Sequence, residues 1–276
     1  MSPHLQEIAR EFMRRRGTER LAIATLVRTT GSSYLGRGAR MLITEARETF
    51  GALSGGCIEE EVASNAQSVI ESGTPLTMTF DTRPRFGCSG SLEIMLEKLE
   101  PDDAFLLSLD RCLRERVSFG TGAELIEPPL QLLIAGDSAD SVPLARLAQT
   151  LGWQVVALRE PENIAADAWT VAVVKTHNYG RDFAFLRALL PLDLPYIGLV
   201  GSRKRKEQLV GALLDLGTSL EQTKVIHGPA GLDIGSATPE EIALSIVAEI
   251  QAVLSARPHH SLRDRKAVPP RLVSAA

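Results

Sequence analysis

Cysteine is scarce and unpaired in this chain: the 276 residues hold three, Cys57, Cys88 and Cys112, with no C-x-x-C spacing among them. That pattern argues against both a disulfide framework and a structural zinc site. Aromatic residues make up only 5%, and no apolar run reaches the roughly 18 residues that a membrane helix requires. The opening residues, Met1-Ser2-Pro3-His4-Leu5-Gln6-Glu7, lack the basic-then-apolar plan of a signal peptide, so a cytoplasmic protein with no membrane partner is expected. Charge of one sign is also missing. Thirty basic against 34 acidic residues leave −4, which offers nothing to attract a polyanion, and no nucleic-acid partner is expected.

With 44% apolar and 23% charged residues, the composition is that of an ordinary globular protein, and the length suits two domains or one large α/β domain. The charge is uneven. Arg257 to Ala276 carries five basic residues and one acidic residue, so the body is more acidic than the total, and this proline-containing tail is expected to be a mobile extension.

Short alternating or apolar runs at Leu21 to Arg28, Met41 to Thr44, Thr49 to Leu53, Leu76 to Phe80 and Leu92 to Leu96 predict strands. They surround one helix, from Cys57 to Glu71, that Gly73 ends, and a second amphipathic helix spans Asp102 to Arg116. This makes an N-terminal α+β domain over residues 1–117, and the glycine and proline residues of 118–129 predict a linker. From 130 to 256, apolar runs at Leu130 to Ala135, Val155 to Leu158, Val171 to Val174, Tyr196 to Val200 and Val225 to His227 alternate with helical patterns. Such alternation predicts an α/β domain with a doubly wound parallel sheet. Thr238-Pro239-Glu240-Glu241 reads as a capping box opening a last helix whose stripe is Ile242, Ile246, Ile250, Val253 and Leu254.

Three places carry candidate chemistry. At the first βα turn of the second domain, Gly136-Asp137-Ser138-Ala139-Asp140-Ser141 keeps only the first glycine of a dinucleotide loop, and Arg159 stands where a ribose-binding carboxylate is expected, so NAD(P) binding is disfavoured. At the same sheet edge, Gly201-Ser202-Arg203-Lys204-Arg205-Lys206 crowds cations at a helix start, which is locally unfavourable unless an anion binds there; a solvated basic face is the other reading. His177, after the preceding strand, reads as a proton carrier, a hydrogen-bonding contact or an ordinary loop histidine. In the first domain, Ser54-Gly55-Gly56-Cys57 places a thiol where a glycine-rich turn enters a helix, a position that favours thiolate, though the acidic run Glu59 to Glu61 opposes it. Cys88 lies in a similar loop, and two soft thiolates in one small domain are compatible with a shared metal site. Cys112 reads as core.

Read together, Gly31-Ser32-Ser33, Gly38-Ala39-Arg40-Met41-Leu42, Ser54 to Glu59, Gly87-Cys88, Thr176-His177, Tyr196 to Arg203, Gly231-Leu232-Asp233-Ile234-Gly235, Thr238 to Ala243 and Ala248-Glu249-Ile250 resemble the XdhC/CoxI family. The anchors run in order over nearly the whole chain. The resemblance implies a family-specific N-terminal domain and a Rossmann-like C-terminal domain. It implies an accessory protein that binds the molybdenum cofactor, of the molybdopterin type, and delivers it to an apo molybdenum hydroxylase of the xanthine dehydrogenase type, with sulfuration and a cysteine desulfurase as optional elements. On that basis the expected cofactor-binding residues are Arg40, Gly55, Gly56, Cys57, Cys88, His177, Gly201, Ser202, Arg203 and Asp233, with Cys57 and Cys88 nearest the metal. No catalytic residue is assigned. A homodimer is a reasonable default. An NAD(P)-dependent oxidoreductase with a degenerate loop and a protein-only assembly factor stay open as alternatives.

Overall fold

The computed structural model describes residues 1–31, 34–56, 58–81, 90–122, 124–136, 138–258 and 260–264. They divide into two compact units, Met1–Pro129 and Leu130–Ala276. Most of the basic tail, residue 259 and residues 265–276, lies outside the described residues. No helix among the described residues is long and apolar enough to cross a membrane.

The first unit opens on a helix that strand periodicity does not announce, α1 (Pro3–Arg15). Its start signal is nonetheless in the sequence: Ser2 accepts the Leu5 N–H through its hydroxyl, and Pro3 fills the first turn. Behind it come β1 (Leu21–Gly31), β2 (Arg40–Thr44), β3 (Thr49–Gly51), α2 (Glu59–Ser72), β4 (Leu76–Asp81), β5 (Gly90–Leu99) and α3 (Ala104–Glu115). The strands form an antiparallel sheet in the order β3-β2-β1-β5-β4. Alternation along β1 divides the core in two. Ala22, Ala24 and Leu26 meet Val62, Ala66, Val69 and Ile70 of α2, whereas Leu21 and Ile23 meet Ile8 and Phe12 of α1 and Leu106, Leu109 and Cys112 of α3. Cys112 is thus core, as expected, and burial pushes its thiol pKa up. Gly73 ends α2 in the left-handed region, also as expected.

Residues 118–129 differ from the expected linker. They hold a short hairpin, β6 (Phe119–Gly120) paired with β7 (Leu125–Ile126), and Ile126 is buried against α1 and α3. Three apolar side chains in that stretch, Phe119, Leu125 and Ile126, are enough for a pairing that the flanking glycines and prolines disguise.

The second unit contains β8 (Gln131–Ala135), α4 (Val142–Thr150), β9 (Gln154–Leu158), β10 (Thr170–Val174), α5 (Tyr179–Leu189), β11 (Ile197–Leu199), α6 (Arg203–Asp215), α7 (Leu220–Thr223), β12 (Ile226–His227) and α8 (Pro239–Leu254). Its sheet is wholly parallel, in the order β12-β11-β10-β8-β9, as the alternation predicts. Leu132, Ile134, Val171 and Val173 face α4 and α8, while Leu133, Ala135, Ala172 and Val174 face α5 and α6. The capping box of α8 forms: Thr238 Oγ1 accepts from Glu241 N, and the Glu241 carboxylate accepts from Thr238 N and Ala237 N. Ile246 and Ile250 are buried from its stripe, but Leu254, expected with them, is exposed. Because β8 lies between β9 and β10, successive connections leave to opposite faces, and a crevice opens at the carboxyl ends of β8 and β10.

Phe12 has no exposed surface, so Phe12→Ala is expected to destabilise the first unit by about 3–5 kcal/mol. The loss is read as a lowered urea midpoint; an unchanged midpoint would show α1 to be dispensable.

Candidate functional site

The crevice between β8 and β10 is lined by charge. Lys175 follows β10 directly; its side chain is 5% exposed, and Nζ lies 3.0 Å from Asp140 Oδ2 and donates to the Asp140 carbonyl at 2.7 Å. His177 Nε2 stands 3.0 Å from the same Oδ2, on a side chain 56% exposed, and Ser138 donates to the other carboxylate oxygen. His177 itself has φ +57°, a left-handed conformation that non-glycine residues seldom adopt and that turns its ring toward Asp140. Gly136 lets the two loops meet: a Cβ there would sit 2.5 Å from the Lys175 carbonyl oxygen. Where a dinucleotide loop would offer its amides to a pyrophosphate, this chain has a 3-10 turn, Ala139–Ser141, with a carboxylate over it.

Burial alone would raise the Asp140 pKa, but the hydrogen bonds from Ser138, Lys175 and His177 outweigh it and bring the pKa from 3.8 to about 2. The folded value lies below the unfolded one. The latch therefore adds stability at pH values above the unfolded pKa and loses it as pH falls through about 2.

A second carboxylate, Asp182 in the first turn of α5, is fully buried. Its Oδ1 accepts from Thr176 N at 3.1 Å and Thr176 Oγ1 at 2.6 Å, and its Oδ2 accepts from Arg205 Nε at 2.9 Å and a terminal guanidinium nitrogen at 2.5 Å. The expected basic cluster is thereby divided. Arg205 is neutralised inside the fold, whereas Arg203 and Lys206 line a cavity of about 380 Å³ with Glu207, Val210 and Gly228. Ser202 caps α6, its hydroxyl accepting from Arg205 N, and Gly201 packs beside the Arg205 side chain.

The Gly231 to Gly235 loop is held by a third carboxylate. Glu249 accepts from Gly231 N at 2.9 Å and from the buried Tyr196 hydroxyl at 2.6 Å, and the Tyr196 ring stacks on His227 at 4.6 Å. Gly231 is obligatory there: its φ is +112°, and a Cβ would lie 2.3 Å from Ser245 Oγ. Asp233 sits exposed on this loop.

In the first unit, Gly55 and Gly56 form an exposed turn before α2. Glu59 folds back onto that turn, its carboxylate accepting from Leu53 N, Ser54 N, Ser54 Oγ and Ile58 N. Burial opposes the charge, but these bonds hold the Glu59 pKa below its usual range. The carboxylate expected to oppose a thiolate is thus bound by the turn itself. The Arg40 guanidinium donates to Gly38 O at 2.9 Å, lies 3.5 Å from Glu124 and covers the Phe105 ring at 4.2 Å. Cys57 and Cys88 lie outside the described residues. Among the described residues no three His, Cys, Asp or Glu side chains converge as metal ligands.

Lys175, Asp182 and Glu249 were missed as site residues by sequence reasoning. Two of them left a signal. Asp182 precedes the buried Phe185, Leu186 and Leu189 by helical spacing, and Glu249 follows Ile242 and Ile246 by seven and three residues. An acidic residue inside an apolar stripe points to a buried carboxylate with partners.

Asp182→Ala leaves Arg205 and Thr176 without their acceptor, and a loss of about 3–5 kcal/mol in urea unfolding is expected. Asp140→Asn is expected to be less stable than the parent at pH 7, with the difference closing as pH is lowered from 5 toward about 2. A difference independent of pH would rule out the ionised latch.

The fold and the sequence both have relatives. Residues 132–250 match the family model described as the XdhC Rossmann domain, and residues 14–81 match the model of the XdhC and CoxI family. A Bacillus subtilis relative, named as a probable xanthine dehydrogenase subunit, is 25% identical across 84% of this chain and 92% of its own length. The molybdenum cofactor insertion chaperone PaoD of Escherichia coli is 26% identical across 84% of this chain and 82% of its own. A solved structure of a xanthine dehydrogenase from Bacillus halodurans shares the fold with a TM-score of 0.74, at 24% identity over 95% of this chain and 98% of that one. With one model matching each unit, and with relatives matched along most of their length, the chain belongs to the XdhC/CoxI family.

Proposed function

We propose that this protein binds the molybdenum cofactor, of the molybdopterin type, and delivers it to an apo molybdenum hydroxylase of the xanthine dehydrogenase type. The observation that carries this reading is the similarity to a molybdenum cofactor insertion chaperone over 82% of that relative's length. The donor chemistry of the chain is compatible with such a cargo. A pterin bearing a phosphate tail needs an anion site beside an apolar wall, and the cavity lined by Arg203, Lys206 and Val210 offers both. Glu207 in the same lining sets a limit on how much negative charge the cavity accepts. Cys57 and Cys88, as soft thiolate donors, are assigned to the molybdenum end, with Gly55 and Gly56 letting the backbone approach it closely. The role is carriage rather than turnover, and a cysteine desulfurase that sulfurates the cargo on this protein is a compatible partner.

Anaerobic incubation with free molybdenum cofactor, gel filtration, and metal and pterin analysis test the reading. Retention of both near one per chain is expected. Arg203→Ala with Lys206→Ala is expected to weaken retention about tenfold or more at low salt, with the difference from the parent shrinking as salt is raised. Cys57→Ala with Cys88→Ala is expected to keep the pterin but lose molybdenum or activation of the client enzyme. A parent protein that retains neither metal nor pterin overturns the proposal.

A further inference from the structure

A strand at the end of a sheet offers a row of free backbone groups unless the chain blunts it. In the two large sheets, β12 and β3 do so by being short, with two and three residues, and β4 leads into residues 82–89, which lie outside the described residues. β9 differs. Its five residues, Gln154-Val155-Val156-Ala157-Leu158, include no charge, no proline and no glycine. It pairs with β8 alone, in parallel, from Gln131↔Gln154 to Ala135↔Leu158. Gln154 N donates to the Leu130 carbonyl, so residues 154, 156 and 158 turn their N–H and C=O groups toward β8. Val155 and Ala157 turn theirs away from it, and among the described residues those groups have no partner. Val156 is 38% exposed on this edge, and Val142 and Leu151, at the two ends of α4 beside it, are exposed as well.

We propose that the free edge of β9 is a dimer interface, occupied by β9 of a second copy of this chain running antiparallel about a two-fold axis at Val156. The register follows from which groups are free. With the axis at Val156, Val155 stands opposite Ala157 of the second copy, and Ala157 opposite its Val155. Each pair exchanges two N–H···O=C bonds, so every outward group of both strands is met. An axis at Val155 would set Ala157 opposite Trp153, whose N–H is already given to the Ala148 carbonyl. An axis at Ala157 would set Val155 opposite Arg159, whose carbonyl already accepts from Arg181. Side chains fit the same register. The two Val156 residues meet on the axis with Cα atoms about 4.5 Å apart and cover each other. The exposed Arg159, just past the strand, falls opposite Trp153 of the second copy, a cation beside an indole. The two Arg159 residues lie at opposite ends, about 20 Å apart, too far to repel at physiological salt. Free backbone groups, exposed valine and nearby cation thus all find their complements in this strand's own sequence, which points to a second copy as the occupant. None of these residues belongs to the proposed cargo site, so the interface stands or falls apart from that function.

Sedimentation and light scattering over a concentration series test it on the full chain. The parent protein is expected to be dimeric at micromolar concentration. Val156→Lys sets two like charges on the axis, and Ala157→Pro removes an N–H that β8 does not use. Each is expected to weaken dimerisation about a hundredfold or more while leaving the circular-dichroism spectrum unchanged. Val156→Cys brings two thiols together on the axis, and mild oxidation is expected to give a covalent dimer beyond any that the native cysteines form. If neither edge variant folds, that cross-link decides. A parent that stays monomeric, either folded edge variant dimerising as the parent does, or Val156→Cys cross-linking no more than the parent, overturns the proposal. A monomeric parent whose folded edge variants no longer bind an apo molybdenum hydroxylase also overturns it, and assigns the edge to a strand of that client.

Discussion

The Asp182 carboxylate, shut away from solvent and held by Thr176 and Arg205, is the constraint on which the carboxyl edge of the second sheet depends. A buried charge is tolerated only when its lone pairs are met, and here the donors come from two other segments, the loop after β10 and the first turn of α6. Satisfying one carboxylate therefore fixes α5, that loop and α6 together. His177 inherits its position from Thr176, and Arg203 and Lys206 inherit theirs from Arg205. The same pair withdraws one cation from the basic cluster, leaving Arg203 and Lys206 of that turn to line the neighbouring cavity.

Carboxylates used as internal ligands recur through the molecule. Glu59 gathers the amides of the turn that leads to Cys57, Asp140 closes the loop after β8, and Glu249 holds Gly231 and Tyr196. Glu59 and Glu249 accept from backbone amides that an irregular loop cannot otherwise pair, whereas the Asp140 carboxylate is met by the side chains of Ser138, Lys175 and His177. The acidic excess of the body is thus partly architecture. Net charge describes how a protein meets distant polyions, and says little about carboxylates whose charge is met within a few ångströms.

Helical and strand periods made much of the architecture legible. The five parallel strands, the antiparallel strands around α2, the capping box of α8 and the burial of Cys112 all follow from local patterns of apolar and polar residues. Helix α1 is legible in the same way, since Leu5, Ile8, Ala9, Phe12 and Met13 recur at helical spacing behind the Ser2 cap and pack against α3 and β2, whereas the hairpin at 119–126 is not. In the hairpin, two-residue strands are too short to show a period at all, and Ile126 counts because a core lies beside it.

The sequence by itself determined which segments alternate and which repeat every third or fourth residue, hence the two kinds of sheet, because those periods are properties of the chain one turn at a time. It also placed His177, Gly201, Ser202 and Arg203 at the ends of strands, where parallel sheets keep their ligands. Only the tertiary structure decided which charges face which. Thr176 and Arg205 lie 29 residues apart and meet at one carboxylate, and Asp140 reaches across 35 residues to Lys175. Electrostatic pairing depends on distance in space, and the fold alone turns separation along the chain into distance.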